Sequence, residues 1–285
     1  MFKKIVKKIT TGALALTCVF GCFGTLTACD DGNPEAQMIL EFNGEEYVLN
    51  YQLHKDKTAA TVNHFIWLVE NEYYDGLCIH DYQPGNTRLY TGAYSYDGGN
   101  LEYKNYYEFV QTSKNFSSFP QTVWADKEME DPLLSVYGEF SENLFKVGDN
   151  NRDALKQQYG SLSMYYHAKG DLAEGRKVWV KNSKGEIIER DYSPNSATSM
   201  FFIATNSAMN NSHCTFATLN NTGALDNLYD AITEYIGDED EDWFVTSKKA
   251  IKDPFDPIVG TKNVETTYRV PNEPIVIKSI RMTKY

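Results

Sequence analysis

The sequence predicts a mainly β protein, a closed antiparallel barrel whose ends are plugged by two helices. Three observations predict it. Short β-prone runs separated by turn residues recur along most of the chain, only two stretches carry helical spacing, and 42% hydrophobic and 14% aromatic residues in 285 give enough apolar surface for a sizeable core. Residues 38–42 and 47–51 are β-prone around Asn43-Gly44 and read as a hairpin. Val62, Phe65, Ile66 and Val69 form one stripe over 61–70, which suits a helix. The apolar run 199–205 reads as a buried strand and 215–219 as another. Leu225, Leu228, Ile232 and Ile236 give the second helix, ending at Gly237 as a C-cap. Residues 274–282 read as a final strand, with Ile275, Ile277 and Ser279 on one face.

Charge narrows the function. Twenty-seven basic against 39 acidic residues leave −12, which argues against a nucleic-acid binder, because neutralising phosphates needs a basic face. No apolar run beyond the N-terminus could span a bilayer repeatedly. At the N-terminus Lys3, Lys4, Lys7 and Lys8 precede an uncharged apolar stretch over 11–27, the pattern of a secretion signal. It ends in Leu26-Thr27-Ala28-Cys29, which resembles the bacterial lipobox. The resemblance implies cleavage before Cys29, lipidation of its thiol and an extracytoplasmic, membrane-anchored protein. Residues 1–28 are then the signal and 29–37 a tether, containing Gly32 and Pro34. Loss of the signal removes four lysines and no acid, so the remaining surface is repelled by anionic headgroups and the lipid must hold it. Cys78 and Cys214 are left. Two thiols make no disulfide framework, no zinc spacing is present, and whether they pair stays open.

Six segments in order carry a further resemblance. They are Thr61-Val62-Asn63-His64-Phe65, Tyr74-Asp75-Gly76-Leu77-Cys78-Ile79-His80-Asp81, Ser135-Val136-Tyr137-Gly138-Glu139-Phe140, Gly160-Ser161-Leu162-Ser163-Met164, the stretch Asn195-Ser196-Ala197-Thr198-Ser199-Met200-Phe201-Phe202-Ile203, and His213-Cys214-Thr215-Phe216. Together they resemble the cyclophilins. The resemblance implies an eight-stranded antiparallel closed barrel capped by two helices over 38–285. Insertions beyond the minimal family length lie near 95–131, 169–193 and 237–263. Trp124, Trp179 and Trp243 fall inside them, which predicts that they are ordered. The acidic run 238–242 reads as a solvated turn, with a calcium site as the minor alternative.

The resemblance also implies prolyl isomerisation, which needs no cofactor and no metal. The bond before proline resists rotation by ~18–20 kcal/mol through its partial double-bond character. The family uses an apolar pocket for the ring and an arginine donor for the twisted amide. Phe202 is retained as the pocket floor and His213 as its rim, with Met209 in the wall. The arginine position is Asp81, an acceptor with no proton to give. The strand glutamine is lost within a stretch that includes Arg88 and Leu89, and the second glutamine is Met200. Tyr165-Tyr166 replace small residues and are expected to crowd the groove, and Ala208 stands where an aromatic is common. Arg88 lies on the following strand, from which its guanidinium could reach the vacated place. Phe202, His213 and Arg88 are therefore the catalytic candidates. Asp81, Leu89, Tyr165, Met200 and Met209 are the candidates for peptide contact. Two readings follow: a weak prolyl isomerase assisting folding of exported proteins, or a cyclophilin-fold module that binds a proline-containing peptide or protein segment at the cell surface without turnover.

Overall fold

The computed structural model describes residues 32–82, 88–140, 155–166, 177–182, 185–192, 196–207, 213–239, 244–251 and 264–285. The signal, Cys29, Ala208, Met209 and Trp243 lie outside them. The chain begins with β1 (Glu35–Phe42) and β2 (Glu45–Leu53), followed by helix α1 (Ala59–Glu70). Next come β3 (Arg88–Thr91), β4 (Tyr94–Asp97), β5 (Asn100–Tyr103), α2 (Tyr106–Thr112), β6 (Val123–Trp124), β7 (Pro132–Leu133) and β8 (Val136–Tyr137). The second half holds β9 (Leu162–Met164), β10 (Lys177–Lys181), β11 (Ile187–Asp191), β12 (Ser196–Ala197), β13 (Phe201–Ala204), β14 (Thr215–Leu219), α3 (Thr222–Glu239), β15 (Phe244–Ile251), β16 (Val264–Pro271) and β17 (Val276–Lys284).

The opening hairpin follows from alternation. Ala36, Met38, Leu40 and Phe42 are buried while their neighbours are not. Asn43 and Gly44 both take positive φ, 51° and 79°, as a two-residue turn with the twist of its strands requires. The strand starts at Glu35, so the last three residues assigned to the tether belong to the sheet. Their alternation continues that of the strand, and Glu35 already pairs with Gln52.

Seven strands form one antiparallel sheet in the order β17-β1-β2-β14-β9-β13-β3. The expected closed eight-stranded barrel is corrected here: the ladder has two open edges, β17 and β3. The segment between them, Gly76 to Tyr82, makes single bridges, Cys78 to Val276 on one edge and Asp81 to Tyr90 on the other. It meets β17, β4 and β3 in turn, so it builds no run of consecutive pairs. One extended segment touching both edges requires a strongly curled sheet, since neighbouring strands lie only ~4.8 Å apart. The result is a curled half-barrel.

The main core fills its inside. Met38, Leu40, Leu49, Leu53, Phe201, Ile203 and Phe216 of the sheet meet Val62, Phe65 and Leu68 of α1 and Leu225 and Leu228 of α3. Asn221 fixes α3 to β2: its Oδ1 accepts the Asn50 amide at 2.8 Å and its Nδ2 donates to the Val48 carbonyl at 2.7 Å. The helix runs through Gly237 to Glu239, so the C-cap expected at Gly237 does not form there, and the start of the acidic run is helical rather than turn. A third helix, α2, was not anticipated. Seven residues are too few to show a periodic stripe, yet Tyr106 and Val110 enter the core and Asn105 caps it through the Glu108 amide at 3.3 Å.

The N-terminus of α1 is capped from a distance. Thr58 supplies no side-chain cap. Instead the buried Glu139 carboxylate accepts the Ala60 amide at 3.2 Å and, through its other oxygen, the Thr61 amide and hydroxyl at 2.8 Å each. Replacing Glu139 with glutamine turns one acceptor into a donor facing N–H groups, and should cost roughly 1–3 kcal/mol in urea unfolding. An unchanged midpoint would show that the cap contributes nothing.

The insertions are ordered where described. β10 and β11 pair from Lys177↔Asp191 to Lys181↔Ile187, and Trp179 sits opposite Trp124 of β6. Val123, Leu133, Tyr137, Val178, Val180 and Tyr192 form a small core of their own. Cys78 and Cys214 are both free and buried, and burial pushes the Cys78 thiol up to about 12, so neither is a reactive thiol at neutral pH.

Candidate active site

Strand alternation assembles the site. In the β3–β13 pair Tyr90 lies opposite Phe202 and Arg88 opposite Ala204, so Arg88 is the diagonal neighbour of Phe202 on the same face. Its guanidinium carbon sits 4.5 Å from the centroid of the Phe202 ring, within cation–π range. Nη1 donates to the Tyr90 hydroxyl at 3.2 Å and approaches His213 Nε2 at the same distance. A guanidinium only donates, so Nε2 is the acceptor and the imidazole is neutral with its proton on Nδ1. Burial, helped by the nearby Arg88 charge, pulls His213 down to about 4, which agrees. His213 stands edge-on to Phe202 at 5.2 Å and Tyr90 is tilted against it at 5.6 Å. With these three around it, Phe202 is fully buried.

Leu89 is corrected: it points the other way and is fully buried in the main core, as the strand period dictates for a residue between Arg88 and Tyr90. Tyr166 is also buried in that core, against Phe140, with its ring tilted 6.3 Å from that of His213. Tyr165 reaches the site, edge-on to Tyr90 at 5.8 Å. Met200 faces the same way as Phe202 but is only 3% exposed. Tyr94 and Leu101 of the β4–β5 hairpin and Tyr268 and Val270 of β16 cluster with it and cover that end of the groove.

Asp81 is corrected too. Rather than presenting a negative charge to the pocket, its Oδ1 accepts the Arg269 amide at 3.1 Å, while the Tyr82 amide donates to the Arg269 carbonyl at 2.9 Å. The residue at the family's arginine position thus docks β16 against the segment 80–82. Next to it, His80 stands edge-on to Tyr94 and Tyr268 at 5.1 and 4.9 Å. Tyr90 was missed by sequence reasoning. Its spacing of two from Arg88, just ahead of Gly92, was the available signal. Gly92 itself is forced: φ is +95°, and a Cβ there would lie 2.3 Å from the Ser199 carbonyl oxygen. Gly92→Ala should therefore cost roughly 3 kcal/mol in thermal unfolding, and a change under half that would mean the β3–β13 end relaxes freely.

A family model described as "Cyclophilin type peptidyl-prolyl cis-trans isomerase/CLD" matches residues 38–246, well over half the chain. The chain belongs to the cyclophilin family. No curated protein matches it in sequence. Among solved structures it is similar to a Cryptosporidium parvum cyclophilin, at 16% identity over 89% of this chain and 99% of that one, with a TM-score of 0.42. A second structure of that protein, in the presence of the dipeptide Ala-Pro, matches at 15% identity, 88% and 99% coverage and a TM-score of 0.43. The Mimivirus cyclophilin matches at 15% identity, 89% and 90% coverage and a TM-score of 0.41. Against the cyclophilin pattern, Asp81 stands at the arginine position of the motif. Arg88, seven residues after Asp81, brings the guanidinium to the Phe202 ring from the neighbouring strand.

Proposed function

We propose that the protein is a weak peptidyl-prolyl cis–trans isomerase, held by lipid on Cys29 at the outer face of a bacterial membrane, where it acts on proline-containing segments of exported proteins. The observation that carries the activity is the Arg88 guanidinium on the Phe202 ring, braced by Tyr90 and His213. As the amide before proline twists, its nitrogen lone pair leaves conjugation and becomes a hydrogen-bond acceptor. A guanidinium N–H aimed at that nitrogen binds the twisted state more tightly than the planar one, which is what lowers the barrier. Phe202 offers the pyrrolidine an apolar face. Neutral His213 orients the guanidinium without competing for the amide. No bond to carbon is made, so no nucleophile is required. The anchor reading rests on Leu26-Thr27-Ala28-Cys29 and the lysine-flanked apolar stretch alone. Metabolic labelling with a palmitate analogue tests it, and label surviving in Cys29→Ser would sink it.

The second reading is a cyclophilin-fold binding module without turnover. It is favoured by the sealed Met200 end and by the covered Phe202 ring. A chymotrypsin-coupled isomerisation assay on an Ala-Pro tetrapeptide separates the two: a rate above background, abolished in Phe202→Ala, supports the isomerase, and background rate with measurable peptide binding supports the module. Asp81→Arg should not raise the rate, because Asp81 serves β16. Instead it should lower stability by about 1–3 kcal/mol through loss of the charge-assisted bond to the Arg269 amide. A gain in rate would return the family's original position to the mechanism.

A further inference from the structure

The guanidinium of Arg88 lies where a pyrrolidine ring has to lie. We infer that Arg88 is a resident ligand of its own pocket, which a substrate proline must displace before the same side chain can serve as donor. The inference rests on the reading of the Phe202 hollow as the proline site. Phe202 has no exposed surface, and the guanidinium carbon is 4.5 Å from its ring centroid, a stacking distance that leaves no layer between them for a second group. The head of the arginine is held by two further contacts of one nitrogen, to the Tyr90 hydroxyl and to His213 Nε2. The side chain is only half-buried, so it has an exit to solvent that a core residue lacks. Three weak holds and an open side describe a latch rather than a fixed wall. All three are lost when proline takes the ring face, and the displaced guanidinium, still tethered at β3, is left beside the amide.

Arg88 then acts twice with opposite signs. It competes with the ground-state peptide and stabilises the twisted one. Ground-state affinity and turnover should accordingly part company in its variants, which a simple donor or a simple structural residue would not produce. The affinity of an Ala-Pro tetrapeptide, measured by isothermal titration or by chemical-shift titration, is expected to rise roughly three- to tenfold in Arg88→Ala, the range a partly exposed cation–π contact can hold back. Tyr90→Phe keeps the ring and removes one hold, and should bind with intermediate affinity. It also keeps the test alive if Arg88→Ala does not fold, as judged by near-UV circular dichroism. Affinity no higher than wild type in both variants overturns the latch while leaving the isomerase reading intact. No binding by wild type or either variant overturns the proline-site reading and the latch together.

Discussion

In Arg88→Ala, kcat on an Ala-Pro tetrapeptide is expected to fall by about 10²–10³-fold, the usual consequence of removing one preorganised transition-state donor. Among the described residues a single guanidinium lies on the Phe202 ring, and its partners, Tyr90 and neutral His213, are not cations. No neighbour among them can stand in for it. Arg88→Lys should recover only part of the loss, since an ammonium keeps the charge but not the planar fork that holds the Tyr90 hydroxyl and His213 together. Single-turnover kinetics on peptides enriched in the cis isomer would measure this. An unchanged kcat in Arg88→Ala would remove Arg88 from the chemistry. A kcat that falls while ground-state affinity rises is the pattern that the structure favours.

Acid should unfold the protein well before its carboxylates titrate. Burial lowers three histidines from an ordinary value near 6.5: His64 to about 4, His80 to about 3 and His213 to about 4. Each is depressed in the folded state, so the unfolded chain takes up a proton first. Stability is intact above about pH 6.5 and is lost as pH falls from there towards 4. With up to three protons bound only by the unfolded chain, the slope approaches about 4 kcal/mol per pH unit. Glu139 works against this by one proton, because burial raises its carboxyl and the folded state binds that proton first. A domain of this size has roughly 5–15 kcal/mol in hand, so the urea midpoint should collapse between pH 6 and 4.5. His80→Phe, which keeps a ring between Tyr94 and Tyr268, should lower the slope by about a third. A midpoint that is level between pH 7 and 5 would mean that these rings are hydrated or protonated in the folded state.

Much of the fold was legible because its signals are local. The 38–51 hairpin shows alternation and an Asn-Gly turn. The two long helices show a 3.6-residue stripe, and Phe202 and His213 lie in motifs whose order matched the family. Other features left no local trace. The cap of α1 comes from Glu139, 78 residues beyond Thr61, and α2 is too short for a stripe. Leu89 was placed with the peptide contacts because its face could not be fixed until the register with β13 set Tyr90 against Phe202. The predicted barrel closure failed for a related reason: the segment 76–82 has strand-like composition, but it divides its backbone bonds among β17, β4, β3 and β16.

By itself the sequence determined membership in the cyclophilin family and the main strands, since backbone propensity and motif order depend on neighbours along the chain. Only the tertiary structure decided what Asp81 and Arg88 do. The Asp81 carboxylate is satisfied by a backbone amide 188 residues away, and the Arg88 guanidinium by rings from β13 and the loop before β14. A charged side chain goes to whichever partner best offsets its desolvation, and in this chain those partners arrive through space.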